Sequence, residues 1–223
     1  MFDEASPSPR TLTEETAQRL RQDIIQGVTP PGTRLAEAAV AKQLGVSRVP
    51  VREALVTLER EGLVSFSATG RAFVKDLTPQ DFEELFLLRL ALEPLSARLA
   101  APQLRVDANL LELNIRETAR AKSLKDVTSL DLDFHQIILE ASNQPRLVRL
   151  WTSLRPELEL WLSRLHRNHQ MQTHATRQMT VEAHQGMLAC FREETSASAE
   201  KITRQHIVGW REWLPSPGDA SSA

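Results

Sequence analysis

The chain has 223 residues, of which 41% are hydrophobic and 25% charged, and its formal net charge is −2. This length is typical of one or two domains, and the composition is typical of a globular protein. A single cysteine, Cys190, excludes an intrachain disulfide. No apolar run approaches the roughly 20 residues that cross a bilayer. The N-terminus is polar and shows no secretory signal, so we expect a cytoplasmic protein without a membrane partner.

The near-neutral net charge conceals a basic segment between Arg34 and Lys75. That segment holds seven Lys and Arg residues against four acidic residues, so it carries +3 while the rest of the chain carries −5. The overall balance excludes a wholly basic nucleic-acid binder, but contact with DNA needs only a locally basic surface. This segment is therefore the first candidate for a DNA-binding region.

Turn residues and apolar spacing divide the chain into two blocks flanked by two tails. Residues 1–10 and 215–223 are rich in Pro and Ser and are expected to be disordered. The first block, residues 11–76, is expected to bring three helices together with a β-hairpin. The expected elements are helices at 14–26, 37–44 and 48–61 and strands at 64–67 and 72–75.

The second block, residues 79–214, shows helical spacing throughout and predicts an all-helical antiparallel bundle. Its expected helices lie at 79–101, 107–122, 126–142, 145–168, 178–193 and 197–214. Pro94 is expected to kink the first of these helices, and Pro156 is expected to kink or break the fourth. The fold class expected for the whole chain is therefore mostly α, and the short segment Asp76–Pro79 joins the two blocks.

The third helix of the first block has the features of a DNA-reading helix. Its apolar positions recur at i, i+3, i+4 and i+7 and define a face that packs on the preceding helix. They are Val51, Ala54, Leu55 and Leu58. Ser47 is expected to cap this helix, which leaves Arg48, Val49 and Arg52 facing outward near its N-terminus. Arginine there can bind guanine O6 and N7 in the major groove or clamp a phosphate. The spacing alone is weak evidence for DNA binding, because any pair of helices joined by a glycine turn shows part of this pattern.

A longer stretch is more specific. Residues 44–55 read LGVSRVPVREAL, residues 58–64 read LEREGLV, and a hairpin follows that ends in AFV at 72–74. This stretch resembles the winged-helix signature of the GntR family of transcriptional regulators. The resemblance implies that Arg48 and Arg52 contact double-stranded operator DNA, and that the protein binds an inverted-repeat site as a homodimer.

Two positions depart from that family pattern. Some relatives carry a DNA-contacting arginine at the position of Ala38, so in this chain that contact is either absent or supplied instead by Arg34 or Lys42. The hairpin tip is expected to form a wing that reaches the adjacent minor groove. In the family the wing usually reads basic-Gly-Ala, whereas here glycine precedes arginine. The wing residues assigned to DNA are Thr69, Gly70 and Arg71.

The second block holds all six histidines, and four of its residues form a candidate metal-binding set. Asp131 and His135 are spaced i, i+4 on one predicted helix, so they project from one face. His184 lies on the predicted helix at 178–193, and His206 lies on the next one, at 197–214. One carboxylate and three imidazoles suit a divalent transition metal, with zinc expected first and nickel or manganese as alternatives. A solvated Asp–His pair or a hydrogen bond in the core is the alternative interpretation.

A second histidine group lies in a polar stretch that is expected to be a loop or a solvated helix end. His166, His169 and His174 surround Arg167-Asn168 and Gln170, and we expect them at the surface. The four tryptophans are expected to pack in the bundle or at a dimer interface rather than to line a pocket. They are Trp151, Trp161, Trp210 and Trp213.

The second block also resembles a known domain. The motifs LRLALE at 88–93, Asp131-x-x-Phe134-His135, Ser142-Asn143, Glu182-Ala183-His184 and a later His206 are similar to the FCD ligand-binding domain of FadR-type GntR regulators. The resemblance implies that Asp131, His135, His184 and His206 bind the metal. Because a divalent metal with one carboxylate and three neutral imidazole ligands keeps a net positive charge and open positions, we expect a small carboxylate metabolite to fill them. Arg89 is expected to pair with this effector or with Asp131, and an ordinary ion pair with Glu93 is equally expected.

The leading prediction is a metabolite-responsive transcriptional regulator rather than an enzyme, and we expect it to act as a repressor. A metal-dependent hydrolase that uses the Asp–His set is the alternative, because such a metal can activate water. A DNA-binding protein whose metal only stabilises the bundle is a third interpretation. Effector binding is expected to act through the Asp76–Pro79 segment.

Overall fold

The computed structural model describes residues 11–168 and 170–209. These residues form nine helices and one two-stranded hairpin, and the chain divides between Asp76 and Leu77 into two compact units. The mostly α fold class is therefore confirmed. The tails predicted to be disordered, residues 1–10 and 215–223, lie outside the described residues.

The first unit contains three helices followed by the hairpin. The elements are α1 (Leu12–Ile25), α2 (Glu37–Leu44), α3 (Arg48–Arg60), β1 (Val64–Phe66) and β2 (Ala72–Val74). Helix α1 begins two residues before its predicted start because Thr11 and Glu14 form a capping box, in which each side chain accepts a hydrogen bond from the other residue's backbone N–H. The remaining boundaries lie within one residue of the predicted ones.

A left-handed glycine makes the tight turn between α2 and α3. Gly45 has φ +69°, a conformation that residues with a Cβ rarely adopt, and it ends α2. The apolar face predicted for α3 is fully buried, with Val51, Ala54 and Leu58 at 0% exposure. Ser47 occupies the N-cap position of α3, but its side chain makes no capping hydrogen bond with the described residues. The expected cap is therefore wrong in its side-chain role.

A short extended segment joins the hairpin on its open side. β1 and β2 pair antiparallel with Ser65 opposite Phe73. The N–H of Leu35 donates to Ala72 O at 2.8 Å, and Arg34 forms an isolated bridge with Phe73. This pairing holds Arg34 beside the wing. The sequence did not indicate it, because so short a bridge shows no alternation of apolar residues.

The second unit consists of six helices. They are α4 (Pro79–Val106), α5 (Asn109–Arg120), α6 (Leu124–Ala141), α7 (Pro145–Asn168), α8 (Thr173–Glu193) and α9 (Ser196–Gly209). Thr78 and Asp81 form a capping box at the start of α4, and Pro79 occupies the first turn, where its missing N–H costs nothing. The second half of the Asp76–Pro79 segment is thus the N-terminus of α4.

Internal prolines do not end the helices of this unit. Helix α4 continues through Pro94 and Pro102, and α7 continues through Pro156. The break allowed for at Pro156 is therefore wrong. A proline removes one backbone hydrogen bond, and Trp151 and Leu158, which are 0% exposed on either side of Pro156, pack α7 into the bundle. Tertiary packing has outweighed the local preference.

The core of the second unit is built mainly from small side chains on α4 and larger ones on the facing helices. Ala97 and Ala100 of α4 are buried against Phe134 of α6 and Phe191 of α8. The small alanines allow neighbouring helices to approach α4 closely. Among the described residues, no helix is both long and apolar enough to span a bilayer.

Candidate nucleic-acid interface and candidate metal centre

All of the residues predicted to contact DNA are exposed in the first unit. They are Arg34, Lys42, Ser47, Arg48, Val49, Arg52, Thr69, Gly70 and Arg71. Val49 is 62% exposed although it is apolar, because the buried face of α3 lies on the opposite side. Gly70 has φ +72° at the hairpin tip, and Ser67 and Thr69 bond to one another through their hydroxyls at 3.0 Å.

One carboxylate binds the two arginines in the first two turns of α3. Glu37, in the first turn of α2, accepts hydrogen bonds from Arg52 Nε at 2.8 Å and from Arg52 Nη2 at 2.9 Å. Arg48 Nη2 donates to the same carboxylate at 3.2 Å. The hydrogen bonds from Arg52 and Arg48 lower the pKa of Glu37, so it stays ionised. Sequence reasoning missed Glu37, which it counted only as one of the opposing acids.

The four predicted metal ligands meet inside the second unit. Asp131 and His135 project from α6, His184 from α8 and His206 from α9. One ligand atom of each residue lies within 4.8 Å of those of the others, so the group could hold a metal ion. We call these four residues the Asp–His cluster.

The distances and burial in the Asp–His cluster fit a metal ion. His135 Nε2 lies 3.2 Å from His206 Nε2, and His184 Nε2 lies 3.3 Å from Asp131 Oδ1. Two tetrahedral ligands about 2.0–2.1 Å from zinc are separated by roughly the same distance. Both carboxylate oxygens of Asp131 are buried and accept no well-aligned hydrogen bond from the described residues. Buried polar atoms are rarely left without a partner, and a cation would supply one.

The protonation states in the cluster also favour a cation. Burial alone raises the pKa of Asp131, but the three surrounding imidazoles, His184 foremost, hold that pKa well below its ordinary range. Burial lowers the pKa of His184 despite the opposing effect of Asp131. Burial and two neighbouring imidazoles lower the pKa of His206 well below its ordinary value. An ionised carboxylate and neutral imidazoles are the forms that bind metals.

A buried carboxylate supports the cluster from α4. Glu93 Oε2 lies 2.8 Å from His135 Nδ1, the ring nitrogen on the far side from His206. Arg89 donates to Glu93 through Nε at 2.7 Å and Nη2 at 3.2 Å, and Trp151 Nε1 donates to Oε1 at 2.8 Å. Burial alone raises the pKa of Glu93, but Arg89 and His135 hold it well below its ordinary range. A carboxylate on the second nitrogen fixes the tautomer of a metal-binding histidine.

Arg89 and Trp151 both contact Glu93. Arg89 forms the i, i+4 ion pair with Glu93, and its Nη1 has no hydrogen-bond partner among the described residues. Trp151 was not expected to line the site, yet it contacts Glu93 directly. The pair with Glu93 is one of the two arrangements expected for Arg89, whereas the contact of Trp151 with Glu93 depends on the packing of α7 on α4, which local spacing does not reveal.

The second histidine group does not lie wholly at the surface. His166 is only 3% exposed, and its Nδ1 lies 3.1 Å from Thr128 Oγ1, so its expected surface position is wrong. Helix α7 ends at Asn168 as predicted and carries His166 inward, although the polar residues around it suggest a loop or a solvated helix end. His174 is exposed as expected. His169, Trp210 and Trp213 lie outside the described residues, whereas Trp151 and Trp161 are buried in the bundle.

Family models match both units. The model of bacterial regulatory proteins of the gntR family matches residues 12–74. The FCD domain model matches residues 84–209 and includes the whole Asp–His cluster. The helix-turn-helix and the helical bundle therefore each have a counterpart among known regulators.

Curated relatives and solved structures agree with these models. The chain is 30% identical over 218 residues to the Uxu operon regulator of Haemophilus influenzae, covering 89% of this chain and 79% of that protein. It is 29% identical over 150 residues to the gluconate operon transcriptional repressor of Bacillus licheniformis, covering 66% of this chain and 61% of that protein. The chain thus spans less than two thirds of that repressor's length. The structure of E. coli McbR/YncC superposes with a TM-score of 0.71 at 22% identity, covering 93% of this chain and 100% of that one, which shows the shared fold alone.

Proposed function

From the premise that the chain belongs to the gntR family of bacterial regulatory proteins and carries an FCD domain, we propose that it is a metabolite-responsive transcriptional repressor. It binds an inverted-repeat operator as a homodimer and takes a small carboxylate effector at a metal in the FCD domain. The observation that carries the proposal is the buried Asp–His cluster, in a chain whose other unit exposes arginines at the start of a helix.

The DNA-binding half of the proposal rests on the start of α3. Arg48 and Arg52 lie in its first two turns, and Val49 is exposed between them. The positive end of the helix dipole faces the same way, which favours nearby phosphates. Arg34 and Lys42 supply further exposed cations, and Arg71 supplies one at the wing. This arrangement suits α3 to the major groove and the hairpin tip to the minor groove. Operator DNA as the partner also leads us to expect the protein in the cytoplasm.

The effector half of the proposal rests on charge and open coordination. A bound divalent metal supplies a Lewis-acidic centre with positions free for carboxylate oxygens, and zinc is our first choice over nickel and manganese. Asp131 is the only carboxylate of the Asp–His cluster, and a coordinating imidazole carries no charge, so a divalent metal held by this set would keep a net positive charge and favour a further anion. Arg89 Nη1, left over by Glu93, is the donor we assign to the effector or to Asp131.

The names of the relatives support this class of effector and the direction of control. One relative is named as the repressor of a gluconate operon, and gluconate is a small carboxylate. We therefore expect the present protein to bind an effector of this class, and we expect that effector to release the protein from DNA. We do not propose the hydrolase, because the matched family and the named relatives are transcription regulators.

Binding at the metal alters DNA affinity only if it favours one arrangement of the paired DNA-binding units over another. The segment Asp76–Pro79 is the connection through which we expect that change to pass. Leu77 is buried, and the capping box of Thr78 and Asp81 ties the segment to α4, which also carries Arg89 and Glu93. A shift of α4 therefore moves the end of this connection directly.

The experiment uses the full chain and the DNA sequence that it enriches from a random library. Affinity for this DNA is measured after EDTA treatment, after zinc loading, and after zinc loading with a panel of small carboxylates that includes gluconate. We expect sequence-selective binding, a mass of two chains per site by sedimentation, and weaker binding when one of the carboxylates is added to the zinc-loaded protein. Equal affinity under all three conditions would rule out the effector response and leave only the proposed DNA binding.

A further inference from the structure

The ion pair between α2 and α3 ties up part of the surface proposed to contact DNA. Glu37 binds Arg52 through two hydrogen bonds and Arg48 through one. The side chains of Arg48 and Arg52 are 64% and 62% exposed, while that of Glu37 is 24% exposed. A single, less exposed carboxylate thus binds two outward-facing guanidinium groups and restricts their movement.

Folding stability does not account for this arrangement. Exposed ion pairs contribute little to stability, because water already solvates both charges and ordering long side chains costs entropy. The packing of α2 on α3 is provided by buried apolar residues, including Val40 and Val51. An acid placed beside arginines that face DNA is also unfavourable for general attraction to phosphates. Its effect must therefore lie in how the arginines bind.

The geometry of the pair restricts what Arg52 can bind. A guanidinium has five N–H donors in a rigid plane. Glu37 takes the edge formed by Nε and Nη2, so the edge that includes Nη1 is left to project outward. A guanidinium held in one plane can match the O6 and N7 acceptors of guanine at a defined position, whereas a free one can swing to any nearby phosphate.

We infer that Glu37 is a positioning residue that sets DNA sequence selectivity, by fixing the guanidinium planes of Arg52 and Arg48 and opposing their loose attachment to phosphates. This inference rests on the proposed binding of operator DNA. Loss of the carboxylate is expected to strengthen binding to DNA of unrelated sequence while weakening discrimination between sequences.

The test uses the full chain and a random double-stranded DNA library of roughly 30 base pairs, long enough for two half-sites one helical turn apart. The wild type, Glu37→Gln and Glu59→Gln are compared. Glu59 is the matched control because it is an exposed acid of the same unit, on α3, with no ion pair among the described residues. Both substitutions remove one negative charge, but only the first releases the arginines.

The measured quantity is the ratio of affinities for the enriched sequence and for a scrambled duplex. For Glu37→Gln we expect this ratio to fall roughly tenfold, within the discrimination that one bidentate arginine–guanine contact provides. Glu59→Gln should keep the wild-type ratio, because added positive charge strengthens binding to both duplexes alike. Equal ratios for the two variants would overturn the inference. A wild type that enriches no sequence would overturn the proposed function and the inference with it.

Glu37→Asp separates reach from charge. Aspartate keeps the negative charge but is one methylene shorter, so it cannot bind both arginines in the observed geometry. We expect a reduced selectivity ratio for Glu37→Asp as well, with circular dichroism showing an unchanged helical fold. Full wild-type selectivity in this variant would show that charge alone matters and would overturn the positioning role.

Discussion

The two units of this protein each contain an arginine that binds a glutamate through Nε and Nη2. Arg52 and Glu37 join at 2.8 and 2.9 Å with side chains 62% and 24% exposed. Arg89 and Glu93 join at 2.7 and 3.2 Å with side chains 0% and 1% exposed. The chemistry of the pairs is the same, but the surface pair stands in water and the buried pair is surrounded by helices.

Solvent decides what each pair contributes. At the surface, water and salt screen the attraction between the charges, so the pair orients Arg52 more than it stabilises the fold. Inside the bundle neither charge can be hydrated, so each depends on the other. Glu93 also contacts His135 and Trp151, and the buried pair therefore holds the Asp–His cluster in place.

The largest expected effect follows from breaking the buried pair. Arg89→Met leaves Glu93 as an uncompensated buried charge, and we expect a loss of about 3–5 kcal/mol in the free energy of unfolding. Urea denaturation measures this loss. Arg52→Met is the control and should leave the unfolding midpoint nearly unchanged. Similar losses in the two variants would erase the distinction between buried and exposed pairs.

Metal binding is expected to stabilise the bundle through the Asp–His cluster. Zinc at 100 times its dissociation constant should raise the free energy of unfolding of the EDTA-treated protein by about 2.7 kcal/mol. His184→Ala should remove this gain, whereas His174→Ala, which changes an exposed histidine, should retain it. Urea denaturation with and without zinc gives the two values for each protein. A gain of equal size in both variants would place the metal elsewhere.

Glu93 is expected to support metal binding without touching the ion. Glu93→Gln should weaken zinc affinity about 10- to 100-fold, because the amide no longer fixes the tautomer of His135 as a carboxylate does. Competition with a chelator of known affinity measures the change. Glu140→Gln is the control on α6, where Glu140 is exposed. An unaltered affinity in Glu93→Gln would limit Glu93 to balancing the charge of Arg89.

In the first unit, substitution of Arg52 is expected to change the affinity for DNA rather than the stability of the fold. Arg52→Ala should weaken binding to the enriched DNA roughly tenfold or more, because Arg52 is an exposed donor in the second turn of α3. Arg60→Ala, at the other end of the same helix, should change affinity far less. Fluorescence anisotropy at fixed salt compares the two variants. If the two variants weaken binding equally, Arg52 contributes only to the overall positive charge of the unit and makes no specific contact with DNA.

The most gradual expected effect is a pH dependence of the stability of the metal-free protein. The pKa values of His184 and His206 in the folded state lie below 6.5, so above that pH both histidines are neutral in the folded and in the unfolded protein. As the pH falls below 6.5 the unfolded chain takes up protons first, and stability is lost at up to about 1.4 kcal/mol per pH unit for each histidine.

Urea denaturation in EDTA between pH 7 and pH 5 checks this prediction. His206→Gln should reduce the slope, and His174→Ala should leave it as in the wild type. Asp131 and Glu93 stay ionised in this range because their pKa values are held well below the ordinary range. Stability that rises as the pH falls would contradict the assigned direction of the histidine shifts.

Local spacing was enough to predict much of this protein. The buried face of α3 and the outward position of Arg48 and Arg52 follow from helical periodicity within a single helix. The same rule placed Asp131 and His135 on one face of α6. These features depend on residues a few positions apart, whose relative directions are set once the backbone is helical.

Only the tertiary structure decided which of these faces meet. Glu93 and His135 lie on different helices, as do Glu93 and Trp151, and nothing in their spacing indicates contact. The burial of His166 and the pairing of Glu37 with Arg52 likewise depend on helix packing. Sequence alone suggested the residues that we propose to bind DNA or a metal, and the packing of helices placed Glu37 and Glu93 in contact with them, because contact between helices is settled by burial and shape rather than by local periodicity.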